Sequence, residues 1–129
     1  MYEFYCTINS VYDGDTVTAT IQLGFDVALK MPLRLLGIDC PELKTGEFKA
    51  QGKAAKEWLI AKVKDQKLVI RTHKCHGNGA KDKYGRILAE MFVVGEAVSI
   101  NQQLIDAGHA IAYDGGTNDP TAFGTMHRN

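Results

Sequence analysis

The sequence predicts a mainly β domain that also carries α-helix: a small five-stranded Greek-key barrel with two helices. Three observations predict it. Residues 16–23 alternate strictly between polar and apolar, with Val17, Ala19, Ile21 and Leu23 on the apolar side; this period-two pattern marks a strand with one buried face. Turn signals punctuate the opening segment at short intervals, at Asp13-Gly14 and at Gly24-Phe25-Asp26, as expected of a β-meander. Later, Ala55, Trp58, Leu59 and Val63 recur at helical spacing with lysines opposite them, so a helix interrupts the run of strands. In barrels of this type the loops at one mouth commonly bind oligonucleotides, although fold alone assigns no function.

The elements follow in order. Residues 2–9 read as a first strand, 16–23 as a second and 27–38 as a third, in which Leu33, Leu35, Leu36 and Ile38 would be buried. A loop over 43–48 leads into the helix, expected over 51–64. A fourth strand is expected over 67–71, a glycine- and lysine-bearing loop over 74–83, and a fifth strand over 85–94. Ser99-Ile100-Asn101-Gln102 matches a capping box, which starts the second helix. Ile100, Leu104 and Ile105 would face the core, and Gly108 would stop that helix at its C′ position. The whole chain, 1–129, reads as one domain. No periodicity follows Tyr113, so 114–129 is expected to be a loop-like tail.

The overall charge is zero, which argues against a generic polyanion binder, but the charges are unevenly placed. Between Lys30 and Arg86 stand 14 Lys/Arg against 6 Asp/Glu, and the rest of the chain carries the balancing acidic excess. A cationic face on a neutral protein is therefore available to a nucleic acid. The plainer reading is that Lys49, Lys53, Lys56, Lys62 and Lys64 solvate an exposed helix. Three widely spaced cysteines, Cys6, Cys40 and Cys75, imply no disulfide framework. The N-terminus lacks a signal-peptide pattern and no apolar run reaches membrane-spanning length, so a cytoplasmic protein with no membrane partner is the default expectation.

One stretch concentrates charge where an apolar strand should carry none. In Arg34-Leu35-Leu36-Gly37-Ile38-Asp39-Cys40-Pro41-Glu42, a guanidinium and two carboxylates arrive at a strand end that Pro41 terminates. They either form a phosphate-and-metal site or close an internal salt bridge at a strand edge. Two other segments carry candidate chemistry: Asp13-Gly14-Asp15-Thr16 at a hairpin, and Asp82-Lys83-Tyr84-Gly85-Arg86 before a strand. Alone, the first is a common turn and the second a basic loop.

Taken together and in this order, the three segments resemble the staphylococcal nuclease (thermonuclease) family. Leu104 to Tyr113, with Gly108 and the run Ala110-Ile111-Ala112-Tyr113, extends the match, so that the likeness covers about Val11 to Tyr113. The resemblance implies an OB-fold and calcium-dependent hydrolysis of DNA and RNA by a sugar-nonspecific nuclease, leaving 3′-phosphate ends. It implies that Asp15 and Asp39 are calcium carboxylates and that Cys40, where the type enzyme has threonine, contributes its backbone carbonyl. Glu42 matches the general base, and Arg34 and Arg86 match the phosphate-binding arginines. Lys83, Tyr84 and Tyr113 match nucleotide-contacting positions.

The inventory makes chemical sense without the family. A phosphodiester repels nucleophiles by its charge. A hard dication on two carboxylates and a carbonyl neutralises that charge and leaves ligand positions for water and phosphate. Two arginines grip the non-bridging oxygens, and a glutamate takes a proton from water. The family's third, C-terminal helix has no counterpart in the pattern after Tyr113. His73-Lys74-Cys75-His76 lacks the distant donor pair of a structural zinc site and reads as loop, and His109 reads as a packed or surface histidine. The expectation is a monomeric hydrolase. The alternative is a non-catalytic module that binds nucleic acid or protein; degenerate repeats of that kind lose the carboxylates or arginines that this chain keeps.

Overall fold

A computed structural model describes residues 1–41 and 49–113. Five strands close a barrel in the order β1-β2-β3-β6-β5. They are β1 (Tyr2–Asp13), β2 (Thr16–Gly24), β3 (Val27–Leu35), β5 (Leu68–Thr72) and β6 (Ile87–Val93). Short β4 (Ile38–Asp39) pairs outside the barrel with β7 (Ile111–Ala112). Helix α1 (Lys49–Val63) follows β4, and α2 (Ile100–Asp106) follows β6. Antiparallel neighbours make up the barrel except at one seam, where β3 and β6 run parallel. This is the mainly β, two-helix barrel of an OB-fold. No helix among the described residues is long and apolar enough to cross a membrane.

Local chemistry explains most of the boundaries. The first strand runs four residues past its expected end because β1 continues to Asp13, with register shifts between Ile8 and Ser10 and between Val11 and Asp13. Such bulges bend a strand and re-aim its last side chains. The third strand is shorter than the pattern predicts. It ends at Leu35, the chain turns through Leu36-Gly37, and Ile38 and Asp39 restart as β4. Leu33, Leu35 and Ile38 are buried while Leu36 is only half-buried. In β2 the buried series Val17, Ala19, Ile21 holds, but Leu23 is 44% exposed.

Helix α1 starts two residues before its expected start and buries Gly52, Ala55, Leu59 and Val63 against the barrel. In α2 the capping box is half formed. Ser99 Oγ accepts from the Gln102 amide at 3.0 Å, but the Gln102 side chain turns forward to Asp106 at 2.8 Å instead of back to the cap. The stop is a Schellman motif: the His109 amide donates to Leu104 O and the Gly108 amide to Ile105 O, with Gly108 at φ +80°. The tail expected over 114–129, the absence of a third helix there and the loop over 43–48 all fall outside the described residues.

A buried polar residue on α2 ties this scaffold together. Asn101 is 4% exposed. Its Oδ1 accepts from the Met91 amide at 3.0 Å, and its Nδ2 donates to Leu36 O at 2.8 Å and Ala89 O at 3.2 Å. One side chain thereby satisfies main-chain groups at the exit of β3 and within β6. Unpaired buried groups of this kind would each cost about 1–3 kcal/mol.

Candidate active site

The two-residue turn between β1 and β2 brings Asp15 in at its base. The Asp15 amide donates to Asp13 Oδ1 at 3.1 Å, a local turn bond typical of aspartate. Gly14 stands here for want of space. A Cβ on it would lie 2.8 Å from both Ala55 Cβ and Cys40 Sγ, so α1 and the β4 segment pack directly on the turn. Asp15 is thus buried, at 5% exposure, between three elements.

Its carboxylate gathers the strand ends. Asp15 Oδ2 accepts from the Cys40 amide at 2.9 Å and lies 3.1 Å from Arg34 Nη1. Asp15 Oδ1 accepts from Thr16 Oγ1 at 3.1 Å. The other arm of the fork, Arg34 Nη2, reaches Asp39 Oδ1 at 3.4 Å. Asp39 is itself buried, held in β4 by pairing of Asp39 with Ile111. The guanidinium therefore spans the two carboxylates in one arrangement. It is an internal salt bridge, and it is also a set of buried anionic oxygens already holding a positive charge.

Arg86 joins from the segment just before β6, the strand that runs beside β3. Its Nη1 donates to Thr16 Oγ1 at 3.2 Å, so Thr16 links it to Asp15. Asp82 fixes the rest of Arg86. Arg86 Nε donates to Asp82 Oδ2 at 2.6 Å, and the amides of Arg86 and Tyr84 both donate to Asp82 Oδ1 at 2.9 Å. Burial works against the Asp82 charge, but the amide and guanidinium of Arg86 and the amide of Tyr84 outweigh it and hold the carboxyl below the usual range. Each arginine also meets a tyrosine. The Arg86 Cζ is 5.1 Å from the Tyr84 ring centre and the Arg34 Cζ is 5.9 Å from that of Tyr113. Lys83 Nζ lies 5.2 Å from the same Tyr84 ring. Tyr113 is carried there by β7, and its amide donates to Gly37 O at 2.8 Å.

The structure thus brings Asp15, Arg34, Asp39 and Cys40 into direct contact, with Arg86 linked through Thr16, and sets Tyr84, Lys83 and Tyr113 around the two arginines. Glu42 lies outside the described residues. The sequence reading missed three participants: Asp13, Thr16 and Asp82. All belong to quoted segments, and the Asp13-x-Asp15 spacing was a signal for the first; nothing local marks Thr16 or Asp82 as tethers of Arg86. His73, Cys75 and His76 lie on the exposed β5–β6 loop, with Cys75 Sγ 3.4 Å from His76 Nδ1. His109 packs 6.0 Å from the Trp58 ring.

A cation fits this donor chemistry. Asp15 and Asp39 supply acceptor-only oxygens, and the Arg34 guanidinium marks where positive charge is favoured. Among the described residues no three His, Cys, Asp or Glu side chains gather closely enough to hold a metal by themselves. A hard ion here would draw on main-chain, water and phosphate oxygens, as calcium readily does. Burial first, then the charges of Asp15 and Asp13, push the Cys40 thiol far above the ordinary value.

Asp13 is the titrating group to watch. Burial, then its hydrogen bond to Asp15 and the repulsion from that carboxylate, raise it from 3.8 to about 7. Because the folded-state value lies above the unfolded one, the protein keeps this proton on folding. Its contribution to stability is full below about pH 4 and is lost as pH rises through about 7. Asp13→Asn is therefore expected to gain stability relative to the parent at pH 8 more than at pH 5. Urea midpoints at both pH values in chelator check this; a difference independent of pH would refute it.

A family model described as staphylococcal nuclease homologue matches residues 32–124, well over half of the chain. The matched span holds Arg34, Asp39, Cys40, Glu42, Lys83, Tyr84, Arg86 and Tyr113, and begins after Asp15. An uncharacterized protein of Methanocaldococcus jannaschii is 28% identical over 132 residues, an alignment that covers 85% of this chain. The chain spans only 59% of the length of that relative.

Proposed function

Since the chain belongs to the staphylococcal nuclease homologue family, we propose that it is a calcium-dependent nuclease that hydrolyses phosphodiester bonds in DNA and RNA and leaves 3′-phosphate ends. The observation that carries this reading is the Arg34 fork across Asp15 and Asp39, with Arg86 linked to the same turn through Thr16. A buried pair of carboxylates beside two arginines suits a substrate that is an anion and needs a cation.

In this reading Asp15, Asp39 and the Cys40 carbonyl hold calcium, which when bound neutralises phosphate charge and supplies an oriented water. Arg34 and Arg86 bind the non-bridging phosphate oxygens and oppose charge that grows in the transition state. Asp82 holds the Arg86 guanidinium through Nε while its Nη1 rests on Thr16 Oγ1. Glu42 accepts the proton of the attacking water. Lys83, Tyr84 and Tyr113 hold the flanking nucleotides, the tyrosines by stacking on bases.

The test is incubation with single- and double-stranded DNA and with RNA, in calcium or in excess chelator, with end-group analysis. Cleavage is expected only with calcium and is expected to return when calcium is restored after chelation. Unchanged turnover in chelator would remove calcium from the mechanism. Binding without cleavage under every condition would make the chain a non-catalytic module.

A further inference from the structure

The barrel has a second open end that the proposed chemistry does not use. Inward-facing side chains alternate along each strand, and on β2 and β3 the series run Val17, Ala19, Ile21, Leu23 and Leu35, Leu33, Met31, Leu29. Ile21 pairs with Leu29 across these strands. Leu29 by its register, and Leu23 at the register shift between Gln22 and Gly24, both line the barrel end, yet they are 49% and 44% exposed. The interior therefore opens to solvent at this end. A cavity of about 250 Å³ begins there, walled by Phe4, Ile21, Ile70 and Ile87. At ~30 Å³ per water it has room for about eight waters, or a ligand of some ten non-hydrogen atoms.

Its polar groups are few: those of Thr72, Lys74, Cys75 and Lys81. Thr72 continues the buried β5 series after Leu68 and Ile70, is 3% exposed and lines the cavity. Its Oγ1 has no hydrogen-bond partner among the described residues, an uncommon state for a buried hydroxyl. Lys74 and Lys81 also line the cavity, and among the described residues no carboxylate does. Lys74 Nζ is anchored to Asn78 O at 2.8 Å, which holds one ammonium group in place on the β5–β6 loop. An apolar chamber with a spare hydroxyl and two cations suits a ligand that is apolar at one end and anionic at the other.

We propose that this barrel end binds a small amphipathic anion, a medium-chain carboxylate, with its alkyl chain among Phe4, Ile21, Ile70 and Ile87 and its carboxylate at Thr72, Lys74 and Lys81. A χ1 rotation on ligand entry turns the sealed Thr72 hydroxyl to donate to one carboxylate oxygen, and the lysines supply the charge. The site is separate from the Asp15–Arg34–Asp39 cluster and does not depend on nuclease activity.

The test is a titration of the full chain with octanoate, followed by amide chemical shifts. Saturable shifts confined to the cavity lining are expected, with Kd on the order of 0.1–1 mM for so few ligand atoms. Acetate, which lacks the chain, and octanol, which lacks the charge, are expected to bind about tenfold more weakly or not at all. Thr72→Val removes the hydroxyl at nearly constant shape, and Lys81→Ala removes an exposed charge. Each is expected to weaken octanoate by roughly three- to tenfold, with circular dichroism confirming the fold. Phosphatidylglycerol vesicles distinguish a free carboxylate from a lipid surface. Binding to vesicles but not to monomeric octanoate would overturn the proposal. So would shifts outside the lining, equal binding of octanol, or undiminished binding by folded Lys81→Ala.

Discussion

Replacing Glu42 by glutamine is expected to leave a folded protein that binds nucleic acid and calcium but cleaves about a hundred to ten thousand times more slowly. Glutamine keeps the size and much of the hydrogen bonding of glutamate but accepts no proton at neutral pH. Glu42 itself lies outside the described residues, but the chain leading to it is firmly held. The Cys40 amide donates to Asp15, and Pro41 is among the fully buried side chains. Asp15, Arg34, Asp39 and Arg86 all remain in the variant, so affinity for a non-cleavable nucleotide should move far less than rate. Single-turnover cleavage and inhibitor binding on one preparation separate the two quantities. A folded variant that cuts at the parent rate would rule out Glu42 as the general base.

Arg34→Gln is expected to fail in two ways at once. The Arg34 side chain is 12% exposed and bridges two carboxylates that are also buried. Removing one member of a buried charge cluster leaves the others uncompensated, at about 3–5 kcal/mol in the metal-free protein. The same side chain is assigned to phosphate, and loss of a transition-state donor typically costs about a hundred- to a thousandfold in rate. Calcium distinguishes these effects. It offers Asp15 and Asp39 a positive charge in place of the guanidinium, so the variant should regain stability with calcium more strongly than the parent does. Its cleavage should not recover, because the phosphate contact is still missing. Urea unfolding with and without calcium, alongside single-turnover rates, reads both. A variant as stable as the parent in chelator would mean that the salt bridges to Asp15 and Asp39 contribute nothing.

Much of the architecture was legible because it rests on short-range relations. Alternation along 16–23 located β2, the period of Ala55, Leu59 and Val63 located α1, and Ser99 and Gly108 bounded α2 to within a residue or two. Each signal is a rule about neighbours one to four positions apart. The same locality explains the misses. Leu23 obeys the alternation of its strand but stands where the ladder with β3 shifts register, between Gln22 and Gly24, and is 44% exposed. The break at Leu36-Gly37 has Gly37 at φ +80°, and beyond it Ile38 and Asp39 pair with β7, more than 70 positions away. Gln102 completes a capping box in sequence but finds Asp106 nearer to hand.

The candidate site divides in the same way. Its charged residues could be picked out because three segments occur in a recognisable order, and because Arg34, Asp39 and Glu42 are costly on an apolar strand end. By itself the sequence determined the five barrel strands and the two helices, the residue types and the likeness to a nuclease family. Only the tertiary structure decided which oxygen faces which nitrogen. Asp15 and Cys40 are separated by 25 positions and Thr16 and Arg86 by 70, and no periodicity reaches across such distances. It also showed that Gly14 is required by the approach of Ala55 and Cys40, and that Asn101 serves main-chain groups of β6 and the exit of β3. The physical reason is that a hydrogen bond or a close packing contact depends on where two backbones meet. That is set by barrel closure and strand register, which no local stretch of residues contains.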